Sequence, residues 1–323
     1  MKTIYVPFAI VFLFLINSCK KDTTTDPIPT PSRQDTLTTG WKKILVDTSE
    51  GFSDIFFNNT TTGYLIGSKT YKSTNGGLNW NVISNQSFVN LAVTNSGNAF
   101  FTSNNGLFRA TGGSDIITMV KQSTASNPDI FFVNDSDGYY LGNDILFNTT
   151  DGGLNWTKLT TTGLHAPSGY FSAAFFTDKN TGWIASNDGV YKTNGSPLSW
   201  VAAAFTGTSS TPNNFTSVFT TSDNTVYTCA SNGQMYKSTN GGNSFSLIHT
   251  FPQTATSFSD MHFVDNNTGY VSISNKIYKT TDAGSTWNVV VTLGNGMFVE
   301  IHFTDANHGW ACGTGGTVLV YNL

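Results

Sequence analysis

A block of about 40 residues recurs along this chain, and that recurrence constrains its fold more than any other feature. Its clearest copies end in one signature: Ser73-Thr74-Asn75-Gly76-Gly77-Leu78-Asn79-Trp80, then Thr149 to Trp156, Ser238 to Phe245 and Thr280 to Trp287. Each block also carries an earlier landmark, a polar turn followed by glycine and an aromatic: Gly63-Tyr64, Gly138-Tyr139, Gly182-Trp183, Gly269-Tyr270 and Gly309-Trp310. Within a block the residues alternate as four short strands, for example Asp54 to Phe57, Tyr64 to Gly67, Thr70 to Ser73 and Trp80 to Ile83, separated by Asn, Gly, Ser and Thr turns. Four strands per repeat of this length describe one blade of a propeller.

Seven first strands can be counted, beginning at Asp54, Asn90, Asp129, Ala173, Ser217, Asp260 and Glu300; the second block keeps the spacing but lacks the tryptophan signature. The seventh block stops after three strands, while Trp41 to Val46 reads as an orphan fourth strand at the other end. The expected fold is therefore all-β: a seven-bladed β-propeller over residues 41–323, closed by an N-terminal strand that joins the last blade and removes a long unpaired edge.

The first residues follow other rules. Lys2 precedes an apolar run from Ile4 to Ile16 and then Asn17-Ser18-Cys19, the charged start, apolar core and small-residue exit of a signal peptide, too short to span a membrane. A cysteine directly after the apolar core resembles the lipobox of bacterial lipoproteins, although Asn17 departs from the usual small apolar residue. That resemblance implies a signal peptide over 1–18, lipidation of Cys19 and a place on the bacterial cell envelope, as an outer-membrane lipoprotein or at the cell surface. Residues 19–40 have no apolar periodicity and several prolines, as expected of a disordered tether.

Charged residues make up 11% of the chain, against roughly 25% in ordinary globular proteins, and Asn, Ser, Thr and Gly carry the polar surface instead. A net charge of −4 leaves no footprint for nucleic acid. Nothing calls for a cofactor, and a monomer is expected. Cys229 and Cys312 fall two blades apart, at what reads as the strand position of Gly67 and Gly142, too far apart for a bridge, so two free buried thiols are expected.

The signature resembles the Asp-box of the bacterial neuraminidase repeat, and the whole block is most similar to the propellers of the photosystem II stability and assembly factor family. Trp80, Trp156 and Trp287 match the motif's tryptophan, Asp151 and Asp282 its aspartate, and Gly77, Gly153, Gly242 and Gly284 its glycine; Asn75 and Asn240 replace the aspartate and Phe245 the tryptophan. The resemblance implies the fold and a structural role for these residues, in which Asp or Asn accepts backbone N–H bonds across a tight turn while the aromatic packs between blades. It does not carry a photosystem role to a lipoprotein-like chain, because one fold hosts many activities.

Sialidases hold a sugar carboxylate with three arginines, and this chain has two, Arg33 in the tether and Arg109 in the degenerate second block. The only glutamates are Glu50 and Glu300, so a two-carboxyl glycosidase would need aspartates, and xyloglucanase-like cleavage stands as the alternative to a binding role. No Gly-x-Ser-x-Gly elbow, Walker loop, His-Glu-x-x-His or Cys-x-x-Cys is present.

Aligning the first strands exposes three rows. Two residues before each anchor stands Phe52, Phe88, Phe171, Phe215, Phe258 or Phe298, with Asn127 in the third block; two after it come Phe56, Ala92, Phe131, Phe175, Phe219, His262 and His302. A strand period of two puts all three rows on one side, facing the propeller axis. The candidate site is thus the channel mouth, with Asp54, Asp129, Asp260, His262, Glu300, His302, Phe258 and Phe298 as ligand-binding residues. The arc Asp260, His262, Glu300, His302 and Asp54, on adjacent blades, mixes imidazole and carboxylate as a divalent metal or a cationic ligand requires. The expected function is a non-catalytic binding or assembly module for a glycan or protein ligand, touching the membrane only through its lipid.

Overall fold

The computed structural model describes residues 34–322 except 124–127, 143–144, 165–170, 207–213, 223 and 253–257. Residues 1–18, Cys19, Arg33, Asn127 and parts of the blade-to-blade loops Thr160 to Ser172 and Thr206 to Asn214 lie outside that set. Among the described residues no helix is long and apolar enough to cross a membrane.

The chain folds as seven antiparallel sheets in sequence order, each an up-and-down meander. Blade one runs Asp54–Phe57, Gly63–Ile66, Thr70–Ser73 and Asn81–Ser84 from the axis outward. Trp41–Leu45 pairs antiparallel with Thr317–Asn322, Trp41 opposite Tyr321 and Leu45 opposite Thr317, so the first residues of the domain complete the last blade. Trp41 is buried there against Tyr321, with ring centroids 5.0 Å apart.

Two sheets carry an additional edge strand. Thr36–Leu37 pairs with Asn288–Thr292 of blade six, and Ala204–Thr206 runs parallel to Ser244–Thr250 of blade five. The first of these corrects the extent of the tether, which the sequence reading carries to residue 40. An edge strand needs backbone hydrogen bonds and little apolar surface, so hydrophobic periodicity does not announce it.

Seven hydrophobic cores hold the ring together, and each lies between neighbouring blades rather than inside one. Phe52, Ile55 and Phe57 of blade one meet Trp310, Val318 and Val320 of blade seven, closing the circle. The glycine-aromatic landmark builds these seams. Trp310 stacks on Phe57 of the next blade at 3.7 Å and 5°, Tyr139 on Phe176 at 3.8 Å and Tyr227 on Phe263 at 4.1 Å. The glycine beforehand is required by contact, since a Cβ on Gly309 would sit 2.3 Å from the Phe303 ring.

The second landmark meets the first in space. The Trp310 indole N–H donates to Gly76 O at 2.9 Å, the Trp183 N–H to Gly241 O at 3.1 Å and the Tyr227 hydroxyl to Ala283 O at 3.2 Å. In each case the aromatic of one blade binds the signature turn of the next. All four turns share one network: the hydroxyl of Ser73, Thr149, Ser238 or Thr280 accepts the N–H of Gly77, Gly153, Gly242 or Gly284 at 2.8–3.0 Å. Asn75, Asp151, Asn240 and Asp282 accept an amide four residues on, at 2.8–3.0 Å. Trp80, Trp156 and Trp287 donate back to the turn glycine's carbonyl at 2.9–3.1 Å, a bond that Phe245 cannot make. These residues are framework.

Cys229 and Cys312 are free and buried, in separate seams. Their register position differs from the expectation by one residue. Cys229 faces Ser217 and Cys312 faces Glu300, where blades one and three place Ile66 opposite Asp54 and Leu141 opposite Asp129. The position therefore accepts large side chains.

Candidate functional site: the axial channel

The innermost strands surround a cavity of about 370 Å³ lined by the anchor residues and by the row two residues beyond them. Asp54, Asp129, Asp260 and Glu300 all reach it, as do Phe56, Phe131, Phe175, Phe219, His262 and His302.

Phe258 and Phe298 do not. They are buried in the seams, 4% and 1% exposed, Phe258 with Phe251 and Tyr278 and Phe298 with Leu293 and Ile301. The cause is a β-bulge just before the anchor in blades four to seven, where the register shifts between Phe171 and Ala173, Phe215 and Ser217, Phe258 and Asp260, and Phe298 and Glu300. The extra residue breaks the period of two, so Ser172, Thr216, Ser259 and Val299 line the channel and the phenylalanines turn into the packing.

The anchors form a tier of acids tied across blades. The Leu91 N–H of blade two donates to Asp54 Oδ2 at 2.7 Å, and the Ala174 N–H of blade four to Asp129 Oδ2 at 3.1 Å. Asp129 also accepts its own neighbour's N–H, from Ile130, at 2.8 Å. Asp260 accepts the Ser217 hydroxyl at 3.2 Å and the backbone N–H of Ile301 in blade seven. Glu300 hydrogen-bonds to the Asp260 carboxyl, so this pair shares a proton.

Burial sets the protonation of the tier. It pushes Asp54 up to about 8, against the pull of the Leu91 amide and with the help of Asp129 and Asp260. Asp129 rises to about 7 for the same reason, opposed by the Ile130 and Ala174 amides. Burial, then the charges of Asp260 and Asp54, carries Glu300 well above the usual carboxylate range. Burial lowers the imidazoles instead, His302 to about 4 and His262 well below its ordinary value.

Below the acids lies a collar of six rings, of which the sequence singles out only His262 and His302 as site residues. In blade order the centroid separations are Phe131 to Phe175 5.2 Å, Phe175 to Phe219 4.9 Å, Phe219 to His262 5.0 Å, His262 to His302 5.5 Å and His302 to Phe56 4.3 Å. Six rings thus touch in sequence around the axis, and Ala92 of blade two leaves the gap. The signal was present as a row aromatic or imidazole in six blades of seven. His302 Nε2 lies 2.8 Å from Phe57 O of the next blade, a bond that orients its ring.

Asp54, Asp129, Asp260, His262, Glu300 and His302, aligned in the sequence, come together along the cavity wall. The metal reading of the arc is not supported: among the described residues no group of three or more His, Cys, Asp or Glu side chains converges as a metal site. Arg109 is remote, on the third strand of blade two over the Phe100 ring at 5.5 Å.

This architecture and channel define a seven-bladed β-propeller, and solved structures agree. The fold is similar to YCF48 bound to a D1 peptide, with 16% identity, 88% of this chain and 97% of that one covered and a TM-score of 0.72. It is likewise similar to YCF48 from Cyanidioschyzon merolae, at 15% identity, coverage of 88% and 98% and a TM-score of 0.71. The extracellular domain of BT4673 from B. thetaiotaomicron matches at 12% identity and a TM-score of 0.71, over 88% of this chain and 40% of that one. At these identities the likeness is one of fold. No protein-family model matches the sequence, and no curated protein does.

Proposed function

We propose that this protein is an envelope-anchored propeller that recognises a protein segment or a glycan at the mouth of its axial channel and does not turn it over. The observation that carries this reading is the state of the channel carboxyls. Asp54, Asp129 and Asp260 each accept a backbone N–H from the following blade, and Glu300 is bonded to Asp260. A glycosidase needs two carboxyls facing each other across the scissile bond, one of them free as base or nucleophile. Acids committed to neighbouring backbone and to each other favour recognition, and so does the aromatic collar beneath them.

YCF48 in complex with a D1 peptide supports a protein segment as one ligand class, because a propeller of this shape there receives a peptide. The signal-peptide pattern over residues 1–18 and Cys19 support the envelope location. A lipid on Cys19 would be the strong membrane affinity of the mature chain. Cys19→Ala is then expected to move the protein from the detergent phase to the aqueous phase, and unchanged partitioning would remove the anchor.

Peptide and glycan arrays probed with the full chain test the function, with every glycan hit carried into a reducing-sugar release assay. Binding without release is expected. Release that disappears in Asp260→Asn would replace this reading with the hydrolase.

A further inference from the structure

The collar and the acid tier together favour one charge of ligand. Four mutually interacting carboxyl groups surround the channel, and among the described residues no lysine or arginine lines it. Directly beneath them six rings stand in contact, offering the π-surface that attracts a positive group within about 6 Å of a ring centroid. His262 is enclosed in this collar and makes no hydrogen bond to protein among the described residues, so its ring nitrogens are available to whatever occupies the cavity. The volume, about 370 Å³, falls in the range of small-molecule sites, roughly 300–1,000 Å³.

We propose that the axial channel is a receptor for an organic cation, the ammonium or guanidinium group of a lysine or arginine side chain projecting from the bound segment. This rests on the recognition reading above and narrows it to a basic protein ligand. The cavity suits an organic cation better than a metal ion, because the donors do not converge on a point while the acids and the rings beneath them form two stacked zones that a cation entering from the mouth meets in turn. The groups facing it are Asp54, Asp129, Asp260 and Glu300, with neutral His262 and His302 below and the buried Cys229 and Cys312 thiols behind. A cation arriving among acids that hold protons at neutral pH favours their ionised forms, so binding releases protons and strengthens as pH rises.

The test is calorimetry on the full chain with N-acetyl-lysine methylamide and tetramethylammonium chloride, with N-acetyl-norleucine methylamide as the neutral near-isostere. Titrations at pH 6 and pH 8.5, in two buffers of different ionisation enthalpy, report the proton release. Both cations are expected to bind, tighter at the higher pH, with the neutral compound weaker by about tenfold or more. Glu300→Gln is expected to weaken cation binding by a similar factor without lowering the melting temperature, since the glutamine amide keeps the shape and can still donate to Asp260 but cannot ionise. Phe219→Leu, which keeps apolar bulk and removes a ring, should also weaken it; if that variant fails to fold, Glu300→Gln decides alone. Equal binding of the neutral compound, binding unchanged in Glu300→Gln, or no cation binding at either pH would overturn the proposal. An array hit that lacks basic groups and binds Glu300→Gln as well as the parent removes the cation receptor and leaves the recognition reading standing.

Discussion

Aspartate occurs at both ends of the blades, and the two populations behave in opposite ways. Asp151 and Asp282, in the signature turns, are open to water and surrounded by donors. The Asn155 backbone N–H, first among several donors, pulls Asp151 down to about 2, and the Thr286 hydroxyl and N–H do the same to Asp282. Asp54 and Asp129 are enclosed in the channel with too few donors, and burial drives them up to about 8 and about 7. The turn aspartates serve the fold at little cost. The channel aspartates are kept in a place where a carboxylate is unfavourable, and such places are where function is commonly found.

Three experiments would break or sharpen this contrast. The largest effect is expected at the turn face from Trp310→Ala, which removes a stacked ring and the bond that ties blade seven to the Gly76 carbonyl. Such a truncation costs about 3–5 kcal/mol, a fall in melting temperature on the order of 10 °C, and should leave channel binding intact in the protein that remains folded. A fall of under about 2 °C would deny the turn face its structural role.

The second is the pH dependence of stability. Asp54 and Asp129 keep their protons in the fold up to about pH 8 and pH 7, whereas the unfolded chain releases them near pH 4. The folded state binds more protons across that window, so stability falls as pH rises. His262 and His302, neutral in the fold but protonated in the unfolded chain below about pH 6.5, oppose that slope at acid pH. Urea titrations should therefore show stability declining from about pH 6.5 to about pH 8, with the raised Glu300 and Asp260 carboxyls adding to the fall. The turn aspartates titrate far below this range and do not contribute to it. The double variant Asp54→Asn with Asp129→Asn should flatten the decline, and a flat curve in the parent protein would mean that the channel acids are ionised throughout.

The smallest effect concerns one turn. Ala283 occupies a left-handed conformation, φ 58°, where the other three signature turns have glycine. Ala283→Gly should relieve about 1 kcal/mol of strain, raising the melting temperature by a few degrees while binding at the opposite face stays unchanged. A lower melting temperature would mean that the alanine methyl makes a contact worth more than the strain.

The framework was legible because its residues repeat. Ser73, Asn75, Gly77 and Trp80 recur at fixed spacing, each repetition is one blade, and the missing fourth strand of the last blade pointed to Trp41. The channel acids were legible by aligning the anchors. What escaped was geometry without a compositional mark. The bulge before Asp260 and Glu300 turns Phe258 and Phe298 away from the axis, and neither bulge residue, Ser259 or Val299, announces it. The strand Thr36–Leu37 escaped for a similar reason, being a pairing of only two residues next to a proline-rich stretch, although Leu37 packs on the core of the blade six and seven seam.

The closure strand has a consequence in time. Trp41–Leu45 is among the first parts of the domain to be synthesised, and its partner Thr317–Asn322 is among the last. Until Thr317–Asn322 emerges, the ring has an open seam that exposes Trp41, Phe52 and Ile55, and no local contact can seal it. Folding is thus gated by the most distant strand pairing among the described residues, the kind that makes β-rich proteins slow and vulnerable to aggregation while they wait. A nascent or partly exported copy that still lacks Thr317–Asn322 is an incomplete circle, and the ring closes only when that strand reaches Trp41–Leu45.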